Sequence, residues 1–403
     1  MTALTGQNWL TASATRAVIA ALEAAGGPGC ARFVGGCVRN ALMGRPIDDV
    51  DIATTLKPEE TEKAIRAAGL KAIPTGIAHG TVTAVAERQP FEITTLRRDV
   101  TTDGRNATVA FTDDWAEDAA RRDFRLNALY ADREGRVFDP TGEGVADAAA
   151  GRIVFVGDPE TRIQEDYLRI LRFFRFFAWY GQGEPDAAGL EACRALAPGM
   201  TRLSAERVSK ELMKLLAAED PRPAMAAMAR TGVLAQVLPE AGELDLFSAM
   251  VDLSEDPVAR LMTLFPVDAD AMRGAAERLR FPNSTRDRLV ASAMAAPEVS
   301  LDMTDPQARA AVYRHRGQAV ADALRRLLAG SPDRDAGPLL ALAESWSPPR
   351  LPVGGKDVAR SGVAPGPETG RLLKAFEEGW IADDFPTDGH AERLAALVSP
   401  SRG

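Results

Sequence analysis

At 403 residues the chain is well beyond the roughly 150 typical of one domain, so two or three domains with ample core are expected. Abundant alanine, leucine and arginine with few aromatics predict a helix-dominated protein. Three scattered cysteines (Cys30, Cys37, Cys193) argue against a disulfide framework or a structural zinc site and fit a reducing cytoplasm. A net charge of −9 weakens non-specific nucleic-acid binding without excluding a specific site, and no run approaches the ~20 apolar residues of a membrane span.

Residues 1 to about 28 read as a leading amphipathic helix, without a basic n-region and interrupted by Arg16 and Glu23. The stretch RFVGGCVRNALMGRPIDDVDIAT (32–54) then predicts a short apolar strand, a Gly35-Gly36 turn, a helix opening at Cys37 or Val38 and closing at Gly44-Arg45-Pro46, and a second strand bearing Asp49 and Asp51. Alternation along a strand would turn both acids to one side. Like charges that close repel unless a cation neutralises them, and Mg²⁺ commonly takes one or two carboxylates plus substrate phosphates. Gly35 and Gly36 let the backbone approach a bulky anion at a helix start, and Arg39 can add donors for phosphate oxygens. A triphosphate beside Mg²⁺ on Asp49 and Asp51 is the functional reading. The bland one is a tight turn followed by an acidic strand end.

GGxVR, a turn and DxDIAT together resemble the catalytic head of the class II branch of the polymerase-beta-like nucleotidyltransferases, the family of CCA-adding tRNA nucleotidyltransferases and bacterial poly(A) polymerases. Asn40 stands where that family usually has aspartate, a departure that touches a support contact and not the metal ligands. Further along, 58–68 predicts a helix with acids in its first turn, followed by a loop at 76–80 with His79 as an ordering hydrogen-bonder, and strands at 81–86 and 91–96. If the latter strand neighbours the DxD strand, Glu92 completes a carboxylate trio, as the resemblance also implies. Residues 97–120 are polar and turn-rich, and a loop so long is usually functional or mobile. The family carries a flexible loop here, linked to the switch from adding C to adding A.

ARRDFRLNALYAD (120–132) resembles the family's RRDFTxNAL motif, with Arg125 replacing threonine. The resemblance implies that Arg122 reaches the nucleotide phosphates, that Asp123 supports the site, and that Asn127 contacts the sugar or an arginine. Arg125 could alter packing or add a phosphate contact. From about residue 158 the pattern is helical throughout. Within EDYLRILRFFRFF (165–177), Asp166, Arg169, Arg172 and Arg175 recur every three residues and would share one broad helical face. On an otherwise greasy helix these arginines need an anion, a carboxylate or a flat ring. In the family's EDxxRxxR motif, the residues matching Asp166 and Arg169 bond the Watson–Crick edge of the incoming base. The resemblance directs Arg172 and Arg175 to phosphates. An ion-paired stripe on a core helix is the alternative.

LSAERVSKELMKLL (203–216) resembles the family's SxERIxxEL motif, with Ser204 as N-cap and an architectural role. The distal alanine and leucine helices carry arginines that suit RNA-backbone contacts or plain solvation. A proline-rich linker (345–352) leads to a tail whose GPxxGxxL helix resembles the family's tRNA-contacting segment. No HD pair of the kind found in some relatives is evident.

The expected fold class is α+β: a polymerase-beta-like nucleotidyltransferase head (mixed sheet with helices) followed by an all-α neck, body and tail. The expected divisions are 1–147, 148–216, 217–330 and 331–403. The resemblance implies template-independent addition of C, C and A to the 3′ end of tRNA from CTP and ATP with Mg²⁺, in the cytoplasm, with no membrane and no obligate protein partner. A poly(A) polymerase, a CC-adding enzyme and a non-catalytic RNA-binding protein remain the alternatives.

Overall fold

A computed structural model describes residues 2–76, 80–103 and 106–398, and for 99–103 and 106–109 the backbone alone. The chain divides into two compact units, Met1–Pro239 and Glu240–Gly403.

In chain order the first unit contains α1 (Asn8–Thr11), α2 (Ser13–Gly26), β1 (Ala31–Val34), α3 (Gly36–Leu42), β2 (Asp51–Thr54), α4 (Pro58–Ala67), β3 (Lys71–Gly76), β4 (Thr81–Ala86) and β5 (Gln89–Thr95). A two-stranded ribbon, β6 (Arg97–Asp103) and β7 (Asn106–Phe111), follows, with α5 (Trp115–Ala120), β8 (Tyr130–Ala131) and β9 (Val137–Phe138) after it. The helices α6 (Gly144–Ala150), α7 (Pro159–Glu165), α8 (Leu168–Tyr180), α9 (Ala187–Leu196), α10 (Ala205–Leu216), α11 (Arg222–Arg230) and α12 (Val233–Val237) complete it. Seven strands make one mixed sheet in the order β3-β4-β5-β2-β1-β8-β9, in which β2 and β5 run parallel and the other neighbours antiparallel. An α+β head followed by helices is therefore what the chain adopts.

Alternation explains how the sheet comes to have a covered and an open face. Phe33, Ile52, Val82, Ala84, Phe91 and Ile93 are all buried, and α2 and α4 pack on this part of the sheet. Their neighbours in sequence, Asp51, Thr81, Thr83, Glu92 and Thr94, are at most partly covered. Local chemistry fixes the elements: α4 opens with Pro58 at its first position, and the Lys57 amide donates to Glu60 Oε2 at 2.9 Å. The β4–β5 hairpin turns on Glu87 and Arg88, both at positive φ (50° and 67°).

The segment 97–120 departs from expectation. Instead of a long loop it pairs from Arg97↔Phe111 to Asp103↔Asn106 and then enters α5. Its threonines and valines, which gave no clean period, favour extended pairing. His79 lies outside the described residues.

The second unit consists of helices from α13 (Asp245–Leu253) to α22 (His390–Val398), and no strand occurs among its described residues. Separate cores form around Val312, Val320 and Leu324 and around Phe376 and Trp380. Asp322, fully buried, is matched by a two-pronged contact from Arg288 (both 2.8 Å). Among the described residues no helix is long and apolar enough to cross a membrane.

Candidate active site

The acids gather on the open face. Because β2 runs parallel to β5 with Asp51 opposite Glu92, and Asp51 opens β2, two carboxylates sit side by side on neighbouring strands. Burial pushes the Asp51 carboxyl up to about 6; the charges of Glu92 and Asp49 push the same way and Arg122 opposes them. Asp49 lies just before the strand and not on it, contrary to the sequence expectation. β1 ends at Val34 and turns into α3, so upstream of Asp51 only β5 continues alongside, and there it pairs with β4 alone. Among the described residues, no three acid, histidine or cysteine side chains form a ready-made metal cage.

Gly35 occupies φ 69°, ψ −119°, a region that only glycine enters freely, and it swings β1 into α3. A side chain placed there would come within 3.8 Å of Arg122 Nη1, so this guanidinium overlooks the turn. Arg39 lies beneath it. Its Nη1 donates to Asn127 Oδ1 (2.6 Å), Nε and Nη2 donate to Asn40 Oδ1 (3.1 and 2.8 Å), and Nη2 also donates to the Tyr180 hydroxyl (2.8 Å). With its carbon centre 4.0 Å from the Tyr180 ring centroid and the residue 6% exposed, Arg39 is committed to internal contacts and does not present a free fork to phosphate. Asn40 itself ties the following loop down by donating to the Pro46 carbonyl at 2.7 Å.

The 121–123 segment joins both halves of the site. Asp118 accepts from Arg121 and Arg122 and from the Tyr130 hydroxyl (2.7 Å); despite burial, those partners hold its carboxyl down at about 2. Asp123, also buried, accepts from Arg172 Nε (2.8 Å), Asn127 Nδ2 (3.0 Å) and the Phe124 amide (2.8 Å), and is likewise held at about 2. Asp118 and Tyr130 went unnoticed in the sequence. The i, i+4 spacing of Asp118 and Arg122 was the available signal. Arg125 pairs with Glu143, which uses it locally.

The expected helix from residue 165 is two helices. α7 stops at Glu165, and Asp166 is extended (φ −154°, ψ 105°) at the junction with α8. Its Oδ1 accepts from the Leu168 amide (3.1 Å) and its Oδ2 from Arg207 Nη2 (2.6 Å), so Asp166 sits at the start of the helix that carries the arginines. Each arginine has found a carboxylate: Arg169 bonds Glu165, Arg172 bonds Asp123 and Arg175 bonds Glu211. Arg175 also lies 4.4 Å over the Phe176 ring. The ion-paired stripe is thus the geometry observed, yet the pairing is one-edged. Arg172 uses only Nε and Nη2, and Arg175 only Nε, so Nη1 of both carries no hydrogen-bond partner among the described residues. Arg169 gives Nη1 to Glu165 and the Arg162 carbonyl and Nη2 to the Arg121 carbonyl, and its Nε has no such partner. A carboxylate holding one edge fixes where the other edge points. The neck motif 203–216 braces this row through Arg207 and Glu211, although Ser204, at the N-cap position of α10, makes no side-chain cap bond.

Tyr167, next to Asp166, closes over Gly199 so tightly that a methyl group there would fall 1.9 Å from the ring. Gly199→Ala should therefore lower stability by about 1–3 kcal/mol, an overpacking cost, and should displace the junction holding Asp166. Thermal melting read together with nucleotide selectivity checks this; an unchanged midpoint would mean that the ring moves aside freely.

The acids, Arg122 and the Asp123–Arg172 pair define a nucleotidyltransferase-type arrangement on a mixed sheet. A family profile described as "Poly A polymerase head domain" matches residues 31–154, and one described as "Probable RNA and SrmB- binding site of polymerase A" matches 185–244. The mouse (Mus musculus) protein named "CCA tRNA nucleotidyltransferase 1, mitochondrial" is 34% identical over 378 residues, covering 87% of this chain and 82% of its own length. The "CCA-adding enzyme" of Limosilactobacillus fermentum is 32% identical over 392 residues, covering 92% and 94% respectively. Among solved structures, the Bacillus stearothermophilus CCA-adding enzyme in complex with CTP superposes with a TM-score of 0.78 at 26% identity, over 96% of both chains. The chain belongs to the family of CCA-adding tRNA nucleotidyltransferases and poly(A) polymerases.

Proposed function

We propose that this chain extends the 3′ end of tRNA with C, C and A, using CTP and ATP and releasing pyrophosphate, with no nucleic-acid template. The observation that carries the reading is the continuity of one network. Asp51, flanked by the charges of Glu92 and Asp49, feels the opposing charge of Arg122, and the adjacent Asp123 holds Arg172 on α8.

In this reading Asp49 and Asp51 hold Mg²⁺, the donor set being the hard oxygens this ion prefers, with substrate phosphates completing it. When bound, the ion would activate the RNA 3′-hydroxyl and neutralise charge on the departing phosphates. The crowding that raises the Asp51 carboxyl to about 6 is what a cation would relieve. Glu92, opposite Asp51, is the third acid. Gly35 and Gly36 admit the triphosphate while Arg122, Arg172 and Arg175 aim their unpaired edges at it. Arg39 positions Asn127 for the sugar, and Asp123 sets both Asn127 and Arg172. Asp166 keeps lone pairs for the exocyclic amine of C or A, and Arg169 offers Nε to a ring acceptor. Guanine and uracil present the reverse pattern.

Residues 1–147 form the catalytic head, 148–216 the neck that reads the base, 217–330 the body and 331–403 a tail that meets tRNA. Three free, buried thiols suit a cytoplasmic setting.

Supplying a tRNA that lacks CCA with CTP and ATP, separately and together, and sequencing the product ends tests the reading. Addition of C, C and a single A supports it, long A tracts would select the poly(A) polymerase, and two C residues alone the CC-adding enzyme. Asp166→Ala should admit UTP or GTP while transfer continues, with discrimination falling by roughly 1–3 kcal/mol, about five- to 150-fold. Unaltered selectivity would remove Asp166 from base choice.

A further inference from the structure

The stripe bearing Arg172 and Arg175 does not end with them. One turn beyond Arg175 on the same face of α8 stands Trp179, 37% exposed. Its indole Nε1 donates to the Lys214 carbonyl at 2.7 Å, which pins one edge of the ring against α10. Lys210 and Lys214 are exposed and one turn apart on α10. Among the described residues neither lysine makes an ion pair, and Glu211 between them is buried and turned to Arg175. The Lys214 ammonium is held below its ordinary value, by partial burial and by the charges of Arg175, Lys210 and Arg172, with Glu211 opposing; exposed Glu206 stands one turn before Lys210, and the four cations still outnumber the acids on this face in a protein of net charge −9. Ten residues of helix separate Arg169 from Trp179, about 15 Å, too far for the incoming nucleotide and suited to the strand leading up to it.

We propose that Trp179, Lys210 and Lys214 dock the unpaired 3′ strand of the RNA substrate, one base stacking on the indole and backbone phosphates meeting the two ammonium groups. The site rests on the reading of the substrate as tRNA, and it adds a place where the strand is gripped independently of sequence. Stacking tolerates any base and ammonium groups contact any phosphate. This gives the enzyme a fixed hold on a substrate whose end changes with every addition.

Binding of a tRNA lacking CCA, measured by fluorescence anisotropy over a range of salt concentrations, tests it. Trp179→Leu, and separately Lys210→Gln with Lys214→Gln, should each weaken binding about tenfold. The lysine pair should also make the log–log salt slope shallower by about 1.4. Trp179→Tyr and the Lys→Arg pair, which keep ring and charge, should restore most of the affinity and so exclude misfolding as the cause. Wild-type affinity and slope in the Leu and Gln variants would overturn the docking site, as would equal losses in the Tyr and Arg variants. Failure of the wild-type chain to extend the tRNA would instead overturn the proposed function.

Discussion

Asp51→Asn should reduce nucleotide incorporation at least about 10³-fold while raising the melting temperature of the metal-free protein at neutral pH. The first effect follows from removing a carboxylate at the proposed metal site, where charge stabilisation is worth several kcal/mol of barrier. The second follows from the raised carboxyl. Asp51 ordinarily titrates near 3.8 and is pushed up to about 6 in the fold by burial, with Glu92 and Asp49 adding to it. A group raised in this way contributes stability that is fully present below pH 3.8 and lost as the pH climbs through about 6. At pH 7.5 the ionised form is therefore a liability, of at most about 3 kcal/mol at roughly 1.4 kcal/mol per unit. Asparagine, neutral and nearly isosteric, relieves it. Calorimetry in chelator should show the variant melting above wild type, and Mg²⁺ should close the gap by stabilising wild type alone. Below about pH 6 protons compete with Mg²⁺ for Asp51, so acidification should weaken Mg²⁺ stabilisation of wild type, and more Mg²⁺ should shift the loss of activity to lower pH. A variant retaining a tenth of the activity, or melting lower, would mean that Asp51 makes a favourable contact and does not bear unrelieved charge.

Much of this site could be read along the chain because its signals are local. The Gly35-Gly36 turn and the acid at Asp51 stand on short, strongly patterned segments, whereas the sequence leaves Glu92 beside Asp51 only as a condition, which the parallel pairing of β2 with β5 meets. Asp49 shows the limit of alternation: β1 turns away at Val34, and although β5 continues to Gln89 it pairs there with β4 alone, so the strand begins only at Asp51. The arginine row was legible as a row, but its partners were not: Asp123 lies 49 residues from Arg172, and Glu211 lies 36 from Arg175. Sequence spacing says which side chains share a face and nothing about what faces them. Arg39 misled for the same reason, because Tyr180, which receives its guanidinium, is 141 residues away. The break at Asp166 was hidden by an uninterrupted helical pattern on both sides, and only the demand of its carboxylate for the Leu168 amide marks it. Once these long-range pairs are known, the row changes meaning. An arginine with one edge neutralised and the other open is held ready for an anion at less cost than a free one.

Asp123→Asn tests that idea where the effect is concentrated. Asp123 is 8% exposed and gathers Arg172, Asn127 and the Phe124 amide around one carboxylate. Removing its charge leaves a half-buried guanidinium without its partner, a loss of about 1–3 kcal/mol. The carboxyl is held at about 2, against 3.8 ordinarily: although burial favours its neutral form, the Arg172 charge and the bonds from Asn127 and Arg172 outweigh it. With the folded value depressed, the stabilisation is present above pH 3.8 and is lost as the pH falls through about 2. Wild type should thus lose up to about 2.5 kcal/mol across that interval, and the variant should lack this contribution. Because Arg172 and Asn127 are set by the same oxygens, incorporation should fall together with stability. The double variant Asp123→Asn with Arg172→Gln separates the two effects. Taking away the stranded cation should return part of the stability, a coupling of at least about 1 kcal/mol in a denaturant cycle, while incorporation stays low because the phosphate donor is gone. Strictly additive losses would show that Asp123 and Arg172 act apart, and the one-edged arginine would then owe its orientation to packing against Phe176 alone.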